Sequence, residues 1–145
     1  MPTDLKVVVA NRPGTVAAAL QLLAEADVNV LAMSGDIRAG ERWGYIHICI
    51  EDPDPARKAL EAAALEIADE HPVVIHPVEN RPGTALEVIK DYNDRGRNIE
   101  VLYTGGDGGL IIGSEDMRPQ RPGVFHLDAG HKGNPSPEPP PSPRV

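Results

Sequence analysis

Asn-Arg-Pro-Gly-Thr occurs twice in this chain, at residues 11–15 and again at residues 80–84. The offset is 69 residues, and the likeness runs past the five matched positions. Val16, Ala19, Leu20 and Leu23 fall on Ala85, Val88, Ile89 and Tyr92, and Asn29-Val30 falls on Asn98-Ile99. Five matched residues alone could be coincidence. Followed by the same helix-spaced stripe and the same Asn-apolar pair, they mark an internal repeat. A chain of 145 residues carrying such a repeat must be built from small units of one kind.

The first copy is read in full. "DLKVVVAN" (4–11) alternates at Leu5, Val7 and Val9, which predicts a half-buried strand. Pro13 and Gly14 stop it, and the period then changes to that of a helix face. Thr15 is the expected N-cap. "DVNVLAMSGDI" (27–37) predicts a strand, "RAGER" (38–42) a turn and "WGYIHICIE" (43–51) a second strand. In that strand Tyr45, His47 and Cys49 share one face, and Ile46, Ile48 and Ile50 the other. "DPDPARKALEAAALEIADE" (52–70) predicts a helix with Asp54 as N-cap and Pro55 at its first position. Its expected inner face is Ala56, Leu60, Ala63 and Ile67. "PVVIHPVEN" (72–80) predicts the closing strand.

The order β-α-β-β-α-β implies an α+β, ferredoxin-like antiparallel sheet with both helices on one face. The second copy runs through "IEVLYTG" (99–105) and "GLIIGSED" (109–116) around the turn "GDG", with a hairpin five residues shorter than in the first, and then ends. Residues 1–79 therefore read as one unit. Residues 72–116 read as a partial βαββ unit that shares the strand at 72–79. Eight of the 29 residues from 117 to 145 are proline. That stretch is expected to be a proline-rich tail, disordered from about 125.

The formal net charge of −8 argues against nucleic acid, whose phosphates require a basic surface. No apolar run approaches the roughly 20 residues of a membrane helix, and the N-terminus lacks the pattern of a signal peptide. The single cysteine, Cys49, has no partner for an internal disulfide. A soluble cytoplasmic protein is expected.

"NRPGTVAAALQLLAEADVNV", and more loosely "NRPGTALEVIKDYNDRGRNI", resemble the ACT domain, a small amino-acid-binding regulatory module. Its pattern is an Asp or Asn, one residue, Pro-Gly, then an apolar helix ending in a Gly-Ile-Asn-Ile-like turn. The resemblance covers about 4–116 and is closest in shape to stand-alone tandem ACT proteins. The departure is the absent second helix and last strand of the second unit. The resemblance implies a non-catalytic protein without a cofactor. It also implies a small amino acid as ligand and an amino-acid metabolic enzyme or regulator as partner, and the sheet edge left open by the truncated second unit invites pairing into a homodimer. The ligand would lie between the first loop and helix of one unit and the second strand of a neighbouring unit. Asn11, Arg12, Pro13, Gly14, Thr15 and Asn29 form one expected half-site, and Asn80, Arg81, Pro82, Gly83, Thr84 and Asn98 the other.

The chemistry of these residues agrees with that expectation. Pro-Gly lets the backbone approach a ligand closely. A helix N-terminus presents unpaired N–H groups and a positive dipole end to a carboxylate. An Asn amide can both donate and accept. The same five residues are also a sound strand-to-helix turn, and Asn29 and Asn98 could simply close a helix in left-handed conformation. A ligand-free scaffold for homo- or hetero-oligomerisation is the alternative.

Other motifs carry less. His47, His71, His76, His126 and His131 could suggest a metal, but His71 and His76, five apart on a strand, face opposite sides, and no Cys or carboxylate stands at a ligand spacing near them. Cys49 reads as a buried hydrophobe. "TGGDGGL" (104–110) lacks the Lys-Ser/Thr of a phosphate loop and reads as a hairpin turn. "EDPDP" (51–55) reads as a helix start. Nothing assembles a nucleophile, a base and an oxyanion donor.

Overall fold

The computed structural model describes residues 1–119, and the expected tail from about 125 lies outside the described residues. The chain runs β1 (Thr3–Ala10), α1 (Thr15–Glu25), β2 (Val30–Asp36), β3 (Trp43–Ile50), α2 (Pro53–Ala62), β4 (Ile67–Pro72), β5 (Val74–His76), α3 (Thr84–Asp94), β6 (Ile99–Thr104) and β7 (Leu110–Ser114). A short 3-10 turn, Glu115–Met117, follows. The strands form two antiparallel sheets, in the orders β2-β3-β1-β4 and β5-β7-β6. This is the expected α+β, ferredoxin-like architecture.

One face of the four-stranded sheet is apolar. It presents Leu5, Val7, Val9, Ile46, Ile48 and Ile50 to Ala19 and Leu23 of α1 and to Ala56 and Leu60 of α2. Strand alternation then sends Asp4, His47 and Cys49 to the opposite face. The three-stranded sheet covers that face, closing a second core of Ala32, Cys49, Val73, Val101 and Ile111. α3 covers its far side through Tyr92, against Leu110 and Ile112. The order of layers is thus two helices, sheet, sheet, helix. β7 lies between two covered faces, and all five of its residues are buried.

The repeat is reproduced closely. α1 and α3 are each 11 residues long and start 69 positions apart. Each second strand carries the same bulge: the register slips between Val30 and Ala32 in β2 and between Ile99 and Val101 in β6. One extra residue, Leu31 or Glu100, turns the side chains that follow to the other face. In β6 this sends Ile99 toward α3 and Val101 into the core between the sheets.

Several local expectations are corrected. Gly14, not Thr15, is the N-cap of α1, and Gly83 caps α3 in the same way, with φ of 89° and 91°. Only glycine takes that left-handed conformation without cost. α2 begins two residues earlier than expected: Asp52 is the cap, accepting from the Asp54 N–H at 3.0 Å, and Pro53 is the first helical residue. α2 also stops at Ala62 rather than running to residue 70. Ala64 turns left-handed (φ 58°), and the Leu65 N–H returns to the Leu60 carbonyl at 3.0 Å. Ala63 is consequently exposed, and Ile67 reaches the core from β4. The strand expected over 72–80 is divided. β4 pairs with β1, buried Val73 crosses over with its N–H on the Pro2 carbonyl, and β5 belongs to the other sheet. The left-handed residues after α1 and α3 are Asp27 and Gly96, not Asn29 and Asn98.

Candidate functional site

Each NRPGT copy is a tight turn from a strand end into a helix. The Thr15 hydroxyl donates backward to the Ala10 carbonyl (2.7 Å), with the Arg12 carbonyl at 3.1 Å. Thr84 repeats this with Glu79 (2.7 Å) and Arg81 (3.1 Å). These hydroxyls hold the turn shut, and among the described residues no side chain caps either helix. The first-turn N–H groups of α1 and α3 are left without a side-chain acceptor, beside an exposed Pro-Gly.

The two copies differ in what surrounds them. The Asn11 amide spends both hydrogens on the β2–β3 hairpin, donating to the Arg38 carbonyl at 3.0 Å and the Glu41 carbonyl at 2.8 Å, while its backbone N–H donates to the Arg42 carbonyl. Only its Oδ1 is left to meet anything else. Asn80 makes no such bond among the described residues. Its own hairpin is a tight glycine turn, with Gly108 N–H on the Gly105 carbonyl and Gly105 N–H on the Gly109 carbonyl. Arg81 is engaged by Glu79 at 2.8 Å and Glu87 at 3.6 Å, whereas Arg12 makes no ion pair among the described residues. α3 carries Glu87 in its first turn, and α1 has no acid there. Asn29 and Asn98 are both exposed at the entry to β2 and β6, and the Asn98 carbonyl accepts from the Glu115 N–H.

Polar groups that the sequence reading passed over lie between the sheets. Tyr103 donates to Asp4 Oδ1 at 2.6 Å, and His47 Nδ1 lies 2.8 Å from Asp4 Oδ2. Asp4 is 2% exposed. Burial, then the bond to Asp4, pushes the Tyr103 phenol well above its usual range, so it stays a donor. Further along, buried His71 meets Glu100, and Arg118 joins Glu100 to Asp69. Only two signals were available in sequence: an acid inside the alternating first strand, and an Arg just past the last repeated residue. His76, on β5, instead meets the Tyr92 hydroxyl at 2.7 Å. A cleft of about 470 Å³ lies along the open edge of β4, lined by Thr3, Ala68, Asp69, Glu70, Pro72, Arg118 and Pro119. It contains none of the NRPGT residues, and its charged groups are already paired with protein partners. Among the described residues no group of His, Cys, Asp and Glu is placed to hold a metal ion, and no helix is long and apolar enough to cross a membrane.

A four-stranded ferredoxin-like sheet stacked on a three-stranded one, with a Pro-Gly turn and a glycine-capped helix repeated at one spacing, defines a tandem α+β module. Residues 2–124 match the family model described as an ACT domain pair, and the chain belongs to that family. ACT domains are regulatory, non-catalytic modules. Solved structures show the same fold. Protein BT0572 from Bacteroides thetaiotaomicron is 24% identical, with a TM-score of 0.67 over 79% of this chain and 80% of that one. The regulatory subunit of aspartate kinase from Thermus thermophilus, in ligand-free form, is 18% identical, with a TM-score of 0.58 over 80% of this chain and 85% of that one. Its counterpart from Thermus flavus is 19% identical, with a TM-score of 0.54 over 78% and 81%. No curated protein matches the chain.

Proposed function

We propose that this protein is a non-catalytic regulator that binds a small amino acid and acts as a homodimer on an amino-acid metabolic enzyme or regulator in the cytoplasm. The observation that carries the reading is the glycine-capped, side-chain-free helix N-terminus built twice with the same backbone angles in a member of the ACT domain pair family. The regulatory subunits of aspartate kinase among the similar folds support an enzyme of amino-acid metabolism as partner. Asn11, Arg12, Pro13, Gly14, Thr15 and Asn29 make one half-site, and Asn80, Arg81, Pro82, Gly83, Thr84 and Asn98 the other. Their roles differ. Among the described residues Arg12 has no acid against it, and it stands before a helix without a first-turn acid, which favours a carboxylate. Arg81 and α3 are neutralised from within by Glu79 and Glu87. The first half-site is therefore the one that receives the ligand carboxylate.

A second reading, a ligand-free scaffold for oligomerisation, is favoured by one observation: the Asn11 amide and both threonine hydroxyls are consumed in holding turns. A thermal-shift screen with the twenty amino acids separates the two. A ligand well above its dissociation constant stabilises by mass action, about 2.7 kcal/mol at a hundredfold excess. A rise in melting temperature that Arg12→Ala abolishes supports binding at the first half-site. No shift with any amino acid leaves the scaffold reading standing.

A further inference from the structure

His71 of β4 is fully buried, and both of its ring nitrogens face oxygen. Nδ1 lies 2.6 Å from the Pro72 carbonyl and Nε2 lies 2.8 Å from Glu100 Oε2 on β6. A carbonyl can only accept, and so can a carboxylate, so both contacts are hydrogen bonds only when each nitrogen carries a proton. The alternative is a protonated Glu100 donating to the ring. Its surroundings disfavour that: burial pushes the Glu100 carboxyl up, but the bonds from Arg118 and His71 outweigh it and hold it below the usual range.

The ring is confined as well as bonded. β7 crosses it at Gly113, where a Cβ would come within 2.8 Å of Nδ1 and 3.0 Å of Cε1. No other residue type fits there without moving the imidazole. Charged and polar groups face His71 from β1, β4 and β6, whereas β7 presents only Gly113. Asp4 on β1 is its partner in register, and Asp4 is shared with His47 of β3 and Tyr103 of β6. Asp69 and Glu70 flank it on β4, where Glu70 is taken by Arg57 of α2 and Asp69 by Arg118. Arg118 also reaches Glu100. With a neutral imidazole, the cluster of Asp69, Arg118, Glu100 and His71 carries one excess negative charge, with His71 buried and its three partners partly exposed. With an imidazolium it is balanced.

We propose that His71 is a buried imidazolium and that its second proton latches the two sheets together, so that the packing of the β5–β7 sheet on the β1–β4 sheet is proton-dependent. A neutral ring keeps one N–H for two acceptors, so loss of that proton leaves either the Pro72 carbonyl or Glu100 facing a bare nitrogen and ends the pairing of opposite charges with Glu100, and β6 with Arg118 loosens from β4. The polar surface between the units, rather than the apolar core, then sets how firmly one unit reports the state of the other.

The test uses the full chain, with nitrogen NMR of labelled histidines and amide hydrogen exchange from about pH 5 to about pH 10, a range that brackets an ordinary imidazole. The expected result is a His71 ring protonated on both nitrogens at neutral pH. On its titration, exchange protection of β6 and β7 amides should fall about tenfold or more, the loss of one charge-assisted bond, while α1 and α2 are unchanged. Glu100→Gln should remove the pH step in β6 exchange. A singly protonated ring at neutral pH overturns the proposal, as does a titration without change in β6 and β7. If Glu100→Gln does not fold, the wild-type titration decides alone.

Discussion

Tyr103 donates a 2.6 Å hydrogen bond to Asp4 across 99 positions of sequence, and that bond passes from one sheet to the other. Asp4 has two oxygens and two partners, Tyr103 and His47, and no buried polar side-chain atom among the described residues is left without one. Such a network rigidifies when complete and is costly when broken. Tyr103→Phe leaves Asp4 Oδ1 buried and unpaired, so it should cost about 1–3 kcal/mol in urea unfolding. Tyr45→Phe is the comparison. The Tyr45 hydroxyl makes no hydrogen bond among the described residues, and its ring keeps Lys6 above it, so the change should stay within about 0.5 kcal/mol. Equal losses in both would mean that the bond to Asp4 carries no special weight.

The two NRPGT asparagines should behave differently on truncation. Asn11→Ala removes two hydrogen bonds that pin the β2–β3 hairpin and should cost about 1–2 kcal/mol. Asn80→Ala removes an exposed amide without such bonds and should cost within about 0.5 kcal/mol. Thermal unfolding of both variants, without ligand, checks this.

That difference shows where the sequence was legible and where it was not. The repeat, its offset and the helix stripes are local patterns, and α1 and α3 follow them residue for residue. What surrounds an identical pentapeptide is not local. Asn11 has carbonyls to hold because its hairpin is five residues longer; at Asn80 the shorter glycine turn stays out of reach. α2 was overextended because Ala, Leu and Glu favour a helix wherever they stand. Pairing of Ile67–Pro72 with β1 overrides that preference. The intersheet groups were missed for a similar reason: Asp4, His71, Glu100 and Tyr103 meet only after two sheets stack. Nothing in spacing or periodicity marks such a meeting.

Gly113 should resist substitution. A Cβ there would meet the His71 ring at 2.8 Å and Val101 Cβ at 3.2 Å, on the most enclosed strand. Overpacking of this kind costs about 1–3 kcal/mol. Gly106→Ala, with nothing within 4 Å of the new carbon, is the control and should be near neutral. If Gly113→Ala melts with the wild type, β7 does not press on His71 as described.

Cys49 should be nearly inert in the folded protein. Burial, then the negative charges of Asp4 and Glu51, pushes its thiol up to about 11, and the side chain is fully buried. Only the thiolate reacts, so at pH 8 its reactive fraction should be on the order of a hundredfold below that of an unfolded cysteine. Labelling with a thiol reagent, native against urea-unfolded, measures it. Fast native labelling would mean that the two sheets part readily.

Acid should weaken the join between the sheets before the helix-covered core. The bond from Arg118 holds the Asp69 carboxyl below its usual range against the opposing effect of burial. Glu100 is lowered too: burial raises it, and the bonds from Arg118 and His71 overcome that. A carboxyl whose folded pKa is depressed binds fewer protons folded than unfolded. Its stabilisation is therefore complete above the unfolded value and disappears as pH falls through the folded one. The window lies from the ordinary carboxylate range downward. Arg118→Leu removes the cation that both groups share. Stability of this variant should fall less steeply with acid than that of the wild type, while the two curves run parallel above the carboxylate range. Urea midpoints collected at a series of pH values give both slopes. Identical slopes would mean that Asp69 and Glu100 titrate alike in the folded and unfolded chain, and that Arg118 does not tie the end of the second unit to β4.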